Sequence, residues 1–339
     1  MRTIVLDRPG ELRLAELPPL RAPSAEHAIV RVRRVGVCGT DIHAWRGEQP
    51  FFSYPRVLGH ELAVEVMAVA AGASDLRPGD RCAVEPYLNC GTCTPCRIGR
   101  ENCCERLQVL GVHVDGGMQE LIEVPVRKLH ASSSLPAEAL ALVEMLGIGA
   151  HAVRRAGTNA SDAALVLGAG PIGLGTASFA VRAGARVVVA DVNPSRVMFC
   201  ASQIRAARAL DLSSRDAADA VREAFGGELP SVVFDATGNA ASMHQAFSLI
   251  AQAGRLVFVG LVLGDISFRD PDFHRRETTL MASRNALPGD FREVLAALEA
   301  GDVDPVPWVS HRTTLAEAVD VFPAWTRPEA GVIKGMIEV

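Results

Sequence analysis

Hydrophobic and polar positions follow two different patterns along this chain. Up to about residue 145, short β-like runs such as Ala28–Val37, Leu62–Ala70 and Arg81–Glu85 are interrupted by glycine and proline. Runs of this kind predict an irregular domain built mostly from β-strands. The pattern changes at about Ala163, where short apolar runs begin to alternate with helical stretches.

The alternating part of the chain predicts a parallel sheet. Its short apolar runs, separated by helical patterns, are Ala164–Leu167, Arg186–Ala190, Val232–Phe234 and Leu256–Val259. Strands that alternate with helices form βαβ units, so we expect a doubly wound α/β domain here. Beyond about Ser283 the sequence predicts a helix over Phe291–Ala300 and a last β-like run over Val332–Val339.

Length and charge narrow the class of protein. A chain of 339 residues suggests two domains, and 49% hydrophobic residues are enough for two cores. The net charge is -5 without a basic patch, so we expect no nucleic-acid partner. No uncharged apolar stretch reaches about 18 residues, and the N-terminus lacks the apolar core of a signal peptide. We therefore expect a cytoplasmic protein without a membrane span.

Four of the eight cysteines lie in one short segment, CGTCTPCRIGRENCC. Cys90, Cys93 and Cys96 are separated by two residues each, and Cys104 follows. In a reducing compartment such spacing favours one tetrahedral Zn²⁺ over disulfides. Four thiolates leave no open position, so this zinc would be structural. Cys103 is an additional thiol, but the spacing favours Cys104.

A glycine-rich turn follows the first run of the parallel sheet. Gly168-Ala169-Gly170-Pro171-Ile172-Gly173 has the GxGxxG spacing that joins a strand to a helix at a dinucleotide pyrophosphate. Asp191 ends the next apolar run, where a carboxylate binds the adenosine ribose and repels a 2′-phosphate. These features favour NAD over NADP. Arg196 could contact a phosphate or lie over the adenine, and a tight turn without ligand is the alternative for the glycines.

A second set of metal-type residues is scattered along the chain. Cys38 lies in GVCGTDIH, His60 and Glu61 in LGHE, and Glu144 in LVEMLG. Only the fold could bring them together, as in catalytic zinc sites with an open position. Taken singly, a buried cysteine or histidine is more often a packing residue.

Together these segments resemble the zinc-dependent medium-chain dehydrogenases, in particular the sorbitol, polyol and hexonate (L-galactonate or L-gulonate) branch. GVCGTDIH, PRVLGHE, the spaced cysteines, GAGPIGLG and VVADVNPSR occur in the order of that family. The resemblance implies a GroES-like catalytic domain over residues 1–145 with a zinc lobe at about 86–105. It implies a Rossmann domain over 146–283 and a return to the catalytic domain over 284–339.

The resemblance also assigns roles to residues. It implies two zinc ions per chain, with Cys38 and His60 as ligands of the catalytic ion, and Cys90, Cys93, Cys96 and Cys104 as ligands of the structural one. Glu61 and Glu144 occupy positions that can each be a ligand, directly or through water. Thr40 and His43 match a relay that carries the alcohol proton to solvent.

The total charge at the zinc limits how many of the two glutamates can bind it. Zn²⁺ with one thiolate and one carboxylate is neutral, and a second carboxylate would disfavour the alkoxide that must give up hydride. We therefore expect that Glu61 and Glu144 do not both bind the metal when substrate alkoxide is present.

The expected reaction is oxidation of a secondary alcohol to a ketone, with a polyol, a sugar acid or another alcohol as substrate. Arg284 resembles an arginine near the substrate or cofactor of polyol dehydrogenases, and it could pair with a substrate carboxylate or form a structural ion pair. The aromatic residues Trp45, Phe51, Phe52 and Tyr54 could line the pocket or fill the core. A threonine-type or simple alcohol dehydrogenase is the alternative within the family, and a non-catalytic cofactor-binding sensor is the alternative outside it. The resemblance implies a homodimer or homotetramer, with the run Leu256–Leu263 at a two-fold axis.

Overall fold

A computed structural model describes residues 1–50 and 52–339 of the chain. The strands in this part are β1 (Arg2–Arg8), β2 (Glu11–Glu16), β3 (His27–Val37), β4 (Arg56–Val57), β5 (Glu61–Val69), β6 (Arg81–Val84), β7 (Tyr87–Leu88), β8 (Gln108–Val109), β9 (Leu121–Pro125), β10 (Leu129–Ala131), β11 (Ala163–Leu167), β12 (Arg186–Asp191), β13 (Arg208–Asp211), β14 (Val232–Asp235), β15 (Arg255–Phe258), β16 (Thr279–Ala282), β17 (Val309–Thr314) and β18 (Lys334–Glu338). The helices are α1 (Gly39–Arg46), α2 (Thr94–Arg97), α3 (Ala137–Ala141), α4 (Val143–Ala156), α5 (Pro171–Arg182), α6 (Pro194–Gln203), α7 (Ala217–Ala224), α8 (Ala240–Ala246), α9 (Asp270–Arg276), α10 (Pro288–Glu299) and α11 (Ala318–Trp325).

The chain divides into two compact units. The first consists of Met1–Glu144 and Leu287–Val339, and the second of Met145–Ala286. The last segment of the chain therefore folds with the first. The described part of the chain contains no helix that is both long and apolar enough to cross a membrane.

The first unit is organised around a seven-stranded sheet. Its strand order is β10-β6-β5-β3-β18-β17, and β9 pairs with β3 as well. Strand β3 is buried over most of its length because it has neighbours on both sides, and its core is rich in valine. The C-terminal strand β18 runs antiparallel to β3 with Gly335 opposite Val37. This register places Lys334 beside the end of β3, where the segment containing Cys38 begins.

The second unit is a six-stranded parallel sheet. Its order, β13-β12-β11-β14-β15-β16, is that of a Rossmann fold, in which the order reverses beside the first strand. Strands β11, β12, β14 and β15 coincide within one or two residues with the four predicted apolar runs. Their side chains are buried on both faces, as expected for strands covered by helices. The prediction of a doubly wound α/β domain is thus confirmed.

The turn between β11 and α5 depends on a close backbone approach at Gly173. A Cβ atom at this position would lie 1.8 Å from the carbonyl oxygen of Gly168, whose own φ is +97°. The carbonyl oxygen and the Cα atom that would carry the Cβ both belong to the backbone of the turn, so neither can move without opening it. Gly175, two residues further along α5, has only ordinary contacts, the nearest being 3.4 Å from Leu146 Cδ2.

This difference predicts opposite effects of the same substitution. Gly173→Ala should lower the free energy of unfolding by about 1–3 kcal/mol, the usual cost of overpacking. Gly175→Ala should leave it unchanged or raise it by up to about 1 kcal/mol, because alanine is the better helix former. Chemical denaturation of the two variants beside the parent protein measures both effects. Equal unfolding midpoints for the two variants would contradict the steric account.

Candidate metal centres and dinucleotide site

The loop between β7 and β8 brings four cysteine sulfurs together. The ligand atoms of Cys90, Cys93, Cys96 and Cys104 all lie within 4.8 Å of one another. Cys93 Sγ is 3.4 Å from Cys96 Sγ and 3.8 Å from Cys104 Sγ. Sulfurs bound tetrahedrally to zinc at about 2.3 Å are about 3.8 Å apart, so the cluster fits one such ion. None of these cysteines forms a disulfide.

Backbone amides around the cluster favour thiolates, the form that binds metal. Hydrogen bonds from the amides of Thr92 and Cys93 lower the pKa of Cys90 to about 5. The amides of Cys96 and Glu105 lower the pKa of Cys93 in the same way. Burial, in contrast, raises the pKa of Cys96 to about 11. The convergence of the four sulfurs is the observation that indicates a metal site.

A second group with metal-ligand geometry lies in the same unit. The ligand atoms of Cys38, His60 and Glu61 lie within 4.8 Å of one another. The pairing of β3 with β5 sets Gly36 opposite Glu61 and so joins the two sequence motifs. A side chain at Gly36 would collide with Glu61, because its Cβ would be 2.1 Å from Glu61 Oε2. Gly36, the first glycine of GVCGTDIH, therefore leaves room for the carboxylate of Glu61.

Asp41 supports two of these residues and was not singled out from the sequence. Its carboxylate is fully buried and accepts hydrogen bonds from Cys38 N at 2.9 Å and from Gly59 N at 3.3 Å. The oxygen Oδ1 lies 3.7 Å from His60 Nδ1, a buried nitrogen without a hydrogen-bond partner. Burial raises the pKa of Asp41, and the nearby His60 opposes that rise. An acid three residues after Cys38, at the start of a helix, is the capping pattern that could have revealed it.

Lys334 is a further residue that the sequence analysis missed. It is buried, and its Nζ donates to Glu61 Oε1 at 2.6 Å and to Val37 O at 3.1 Å. Burial alone would lower the pKa of this lysine, but the negative charges of Glu61 and Cys38 raise it above its ordinary value. The side chain therefore remains an ammonium ion. The sequence signal is a lysine at the start of the last strand, directly before its buried apolar positions.

Glu144 lies outside the group of three ligand residues within the described chain. It is buried at the start of α4, and its Oε1 accepts a hydrogen bond from the hydroxyl of Tyr87. Burial raises the pKa of Glu144, and the neighbouring His60 opposes this. Burial also raises the pKa of Tyr87 well above its ordinary value, and Glu144 raises it further. The tyrosine hydroxyl thus stays protonated and acts as a donor.

The two predicted relay residues lie on α1, directly after Cys38. Thr40 is half-buried in the first turn, whereas His43 is exposed one turn later. His43 Nδ1 is 3.1 Å from Glu48 Oε2. This places an imidazole at the surface, five residues along the chain from Cys38.

The aromatic residues proposed for the substrate pocket contribute to packing. Trp45, Phe52 and Tyr54 are partly buried against the core of the first unit, and the Tyr54 hydroxyl donates to Ala44 O. Phe52 and Tyr54 contact each other edge to face, with ring centroids 4.8 Å apart. Phe51 lies outside the described residues. These contacts favour the core-filling alternative for the three described residues.

In the second unit the glycine-rich turn lies at the carboxyl end of β11. Helix α5 begins at Pro171 and Ile172, with Gly170 as its N-cap, so its first amides are free to bind an anion. The guanidinium of Arg196 lies over the turn, with Nη1 3.2 Å from the position that a Cβ of Gly170 would occupy. A basic group therefore stands where the motif places a pyrophosphate.

Asp191 ends β12 at the same edge of the sheet. Its Oδ2 accepts a hydrogen bond from Ala169 N at 2.7 Å, and its Oδ1 accepts one from Asn193 N at 2.8 Å. The carboxylate is thus fixed beside the glycine turn. Arg284 follows β16 at the carboxyl edge, next to Asn285, which has a φ of +54°.

Comparison with known proteins assigns the family. The alcohol dehydrogenase GroES-like domain model matches residues 24–134, and the zinc-binding dehydrogenase model matches residues 171–300. The L-galactonate-5-dehydrogenase of Escherichia coli K12 is 42% identical over 99% of this chain and 98% of that protein. The D-altritol 5-dehydrogenase of Agrobacterium fabrum is 36% identical over 95% of each chain.

Solved structures agree with these matches. An Escherichia coli CFT073 alcohol dehydrogenase complexed with NADH superposes with a TM-score of 0.92 at 28% identity, covering 100% of this chain and 99% of the other. A zinc-binding dehydrogenase of Sinorhizobium meliloti bound to NADP superposes with a TM-score of 0.91 at 27% identity, with the same coverage. The predicted combination of a GroES-like domain with a Rossmann domain is confirmed.

The two adjacent cysteines of the lobe provide a matched test of its ligands. Cys104 is buried within the cluster, whereas Cys103 is exposed beside it. Cys104→Ser should lower bound zinc by about one ion per chain and lower the melting temperature, because structural zinc contributes directly to folding. Cys103→Ser should leave both unchanged. Elemental analysis and thermal unfolding decide the matter, and zinc loss in the Cys103 variant instead would exchange the two assignments.

Proposed function

This chain belongs to the zinc-binding alcohol dehydrogenases, in their polyol and hexonate branch, and on that basis we propose that it oxidises a secondary alcohol of a sugar acid or polyol to the ketone with NAD⁺. The observation that carries the proposal is the convergence of Cys38, His60 and Glu61 on one point of the first unit. The Rossmann turn of the second unit supplies the coenzyme site that the same reaction requires.

The converging residues of the first unit have proposed roles. Cys38, His60 and Glu61 hold the catalytic zinc, which when bound supplies Lewis acidity toward a hydroxyl oxygen. Asp41 orients Cys38 and His60 through the contacts described above. A second zinc, held by the four lobe cysteines, has a structural role.

Thr40 and His43 are proposed to move the alcohol proton. The Thr40 hydroxyl would accept it, and His43 would pass it to solvent, since an imidazole can both accept and donate a proton. The surface position of His43 beside Glu48 supports this assignment. Glu144 is not assigned as a ligand, because it lies outside the group formed by Cys38, His60 and Glu61.

We propose NAD as the physiological coenzyme. Asp191 is held at the carboxyl end of β12 by two backbone amides, so a negative charge stands where a 2′-phosphate would lie. Arg196 works in the opposite direction, and one structural neighbour binds NADP. Gly168, Gly170, Pro171, Ile172 and Gly173 would bind the pyrophosphate through the turn and the start of α5.

The substrate is proposed to be a hexonate of the L-galactonate type. The support is the 42% identity to an L-galactonate-5-dehydrogenase over nearly the whole of both chains. A hexonate carries a carboxylate at pH 7, and Arg284 is the proposed partner for it, since arginine binds carboxylates through two parallel hydrogen bonds. Polyols such as altritol form the second substrate class of this proposal.

We also propose that the protein is a cytoplasmic homodimer or homotetramer. Strand β16 is the edge of the parallel sheet, and large apolar side chains are exposed nearby. These are Leu261, Leu263, Phe268 and Leu280. An exposed edge strand beside apolar side chains is suited to pairing with a second copy. Free cysteines that form no disulfide fit a reducing compartment.

A substrate panel tests the proposed reaction. Hexonates, polyols, threonine and simple alcohols are offered with NAD⁺ and NADP⁺, and nicotinamide reduction is followed. We expect kcat/KM for an L-galactonate-type hexonate with NAD⁺ to exceed that for threonine or ethanol by at least about tenfold, a difference of about 1.4 kcal/mol. Cys38→Ser should lower turnover by at least about a hundredfold, because Lewis acidity supplies several kcal/mol. Preferred turnover of threonine or a simple alcohol would reassign the substrate, and a well-metallated protein that binds NADH yet oxidises no alcohol would refute the proposal.

The proposed interface is tested by placing a charge in it. Leu261→Arg should shift the protein to smaller species in light scattering coupled to size-exclusion chromatography, because a buried unpaired charge weakens an interface strongly. Leu14→Arg is the matched control, since Leu14 is also exposed but belongs to the first unit. An unchanged mass for both variants would place the interface elsewhere.

A further inference from the structure

Two buried glutamates lie at or beside the predicted metal group of Cys38, His60 and Glu61, and their hydrogen-bond partners differ. Glu61 is paired with the ammonium of Lys334, whereas Glu144 accepts a hydrogen bond from the neutral hydroxyl of Tyr87. Only Glu61 belongs to the group whose ligand atoms converge. A second carboxylate on the metal would oppose formation of the anionic substrate, so the protein needs a means of keeping Glu144 away from it.

Tyr87 is well placed for this purpose. Its side chain is only 3% exposed, and its hydroxyl points at Glu144 Oε1. In this hydrogen bond the phenolic hydroxyl donates and the carboxylate oxygen accepts. This bond restrains the orientation of the Glu144 carboxylate, which lies outside the set of converging ligand atoms.

The position of the tyrosine ring does not depend on its hydroxyl. Tyr87 is the first residue of β7 and pairs with Val109 of β8, the two strands that frame the cysteine lobe. The ring of Phe291 packs edge-on against it, with centroids 6.2 Å apart. Removal of the hydroxyl alone should therefore leave the packing in place.

We propose that Tyr87 is a positioning residue that holds Glu144 out of the metal's coordination sphere, so that Cys38, His60 and Glu61 remain the protein ligands. The inference rests on the proposed function, because it assumes a metal bound by Cys38 and His60. It assigns Tyr87 a role in controlling the number of ligands, in addition to packing. Glu144 then acts from beside the metal and not on it.

Cobalt-substituted holoenzyme provides the test, because four-coordinate Co²⁺ absorbs visible light more strongly than five-coordinate Co²⁺. Tyr87→Phe should weaken the visible bands, as Glu144 becomes a fifth ligand. Release of the metal to a chelator should become about tenfold to a hundredfold less favourable, the equilibrium effect expected when the hydrogen bond that restrains a charged group is lost. Glu144→Gln in the Tyr87→Phe background should restore the parent spectrum and metal retention.

Tyr54→Phe is the matched control, since Tyr54 is the other tyrosine of the chain and its hydroxyl donates to a backbone carbonyl, that of Ala44. Its spectrum should be that of the parent, and Cys38→Ser protein provides the contribution of the lobe for subtraction. Unchanged bands in Tyr87→Phe, weaker metal retention in that variant, or loss of metal in Glu144→Gln alone would each overturn the inference. Parent protein that takes up cobalt in the lobe only would instead refute the proposed function itself.

Discussion

The ion pair between Lys334 and Glu61 is the interaction that holds Glu61 in place beside the other two residues of the predicted metal group. It joins the last strand of the chain, β18, to β5, with β3 between them, and both side chains are almost completely buried. Removing one partner of such a pair costs about 3–5 kcal/mol, because the other charge is left buried alone. The pair therefore fixes the C-terminal strand in register and fixes the carboxylate beside Cys38 and His60. A site assembled from residues about 300 positions apart needs a constraint of this kind.

A second buried ionic cluster supports the base of the cysteine lobe. Lys128 is 1% exposed and is paired with Glu85, which also lies 3.1 Å from His130 Nε2. The His130 ring stacks on Phe291 at 4.9 Å, and Phe291 in turn contacts Tyr87. Charged groups at this depth tolerate little displacement, since each must keep its partner. The strand that leads into the lobe, and with it Tyr87, is thereby held in one position.

The sequence was most informative where ligands are neighbours in the chain. Cys90, Cys93 and Cys96 are spaced so closely that local geometry alone brings their sulfurs together, and the structure shows that convergence. The glycine turn could be predicted equally well, because its strand, turn and helix form one continuous segment of the sequence. The parallel strands could be read from short apolar runs, since burial on both faces leaves little room for polar side chains.

The second predicted metal group could be recognised in the sequence only because the segments that contain it resemble those of a known family. Its members meet through the register of β3 and β5, and no periodicity reports which residues of two distant strands lie opposite each other. Lys334 and Tyr87 were missed for the same reason. Each looks like an ordinary strand residue until the topology places it against a carboxylate. Asp41 is different, because its spacing from Cys38 follows a helix-capping pattern that was present in the sequence and was not used.

The difference between the two carboxylate partners has a physical consequence. The ammonium of Lys334 neutralises the charge of Glu61 and contacts both of its oxygens. The position of this carboxylate is therefore fixed. A tyrosine hydroxyl adds no charge, so it does not neutralise Glu144, although it restrains one of the carboxylate oxygens. Rigid placement suits a permanent ligand, whereas a restrained but still basic carboxylate suits a group that must stay close to the reacting centre without binding to it. The cation beside one glutamate and the neutral donor beside the other thus give two chemically identical side chains different electrostatic surroundings, and the roles proposed for them rest on that difference.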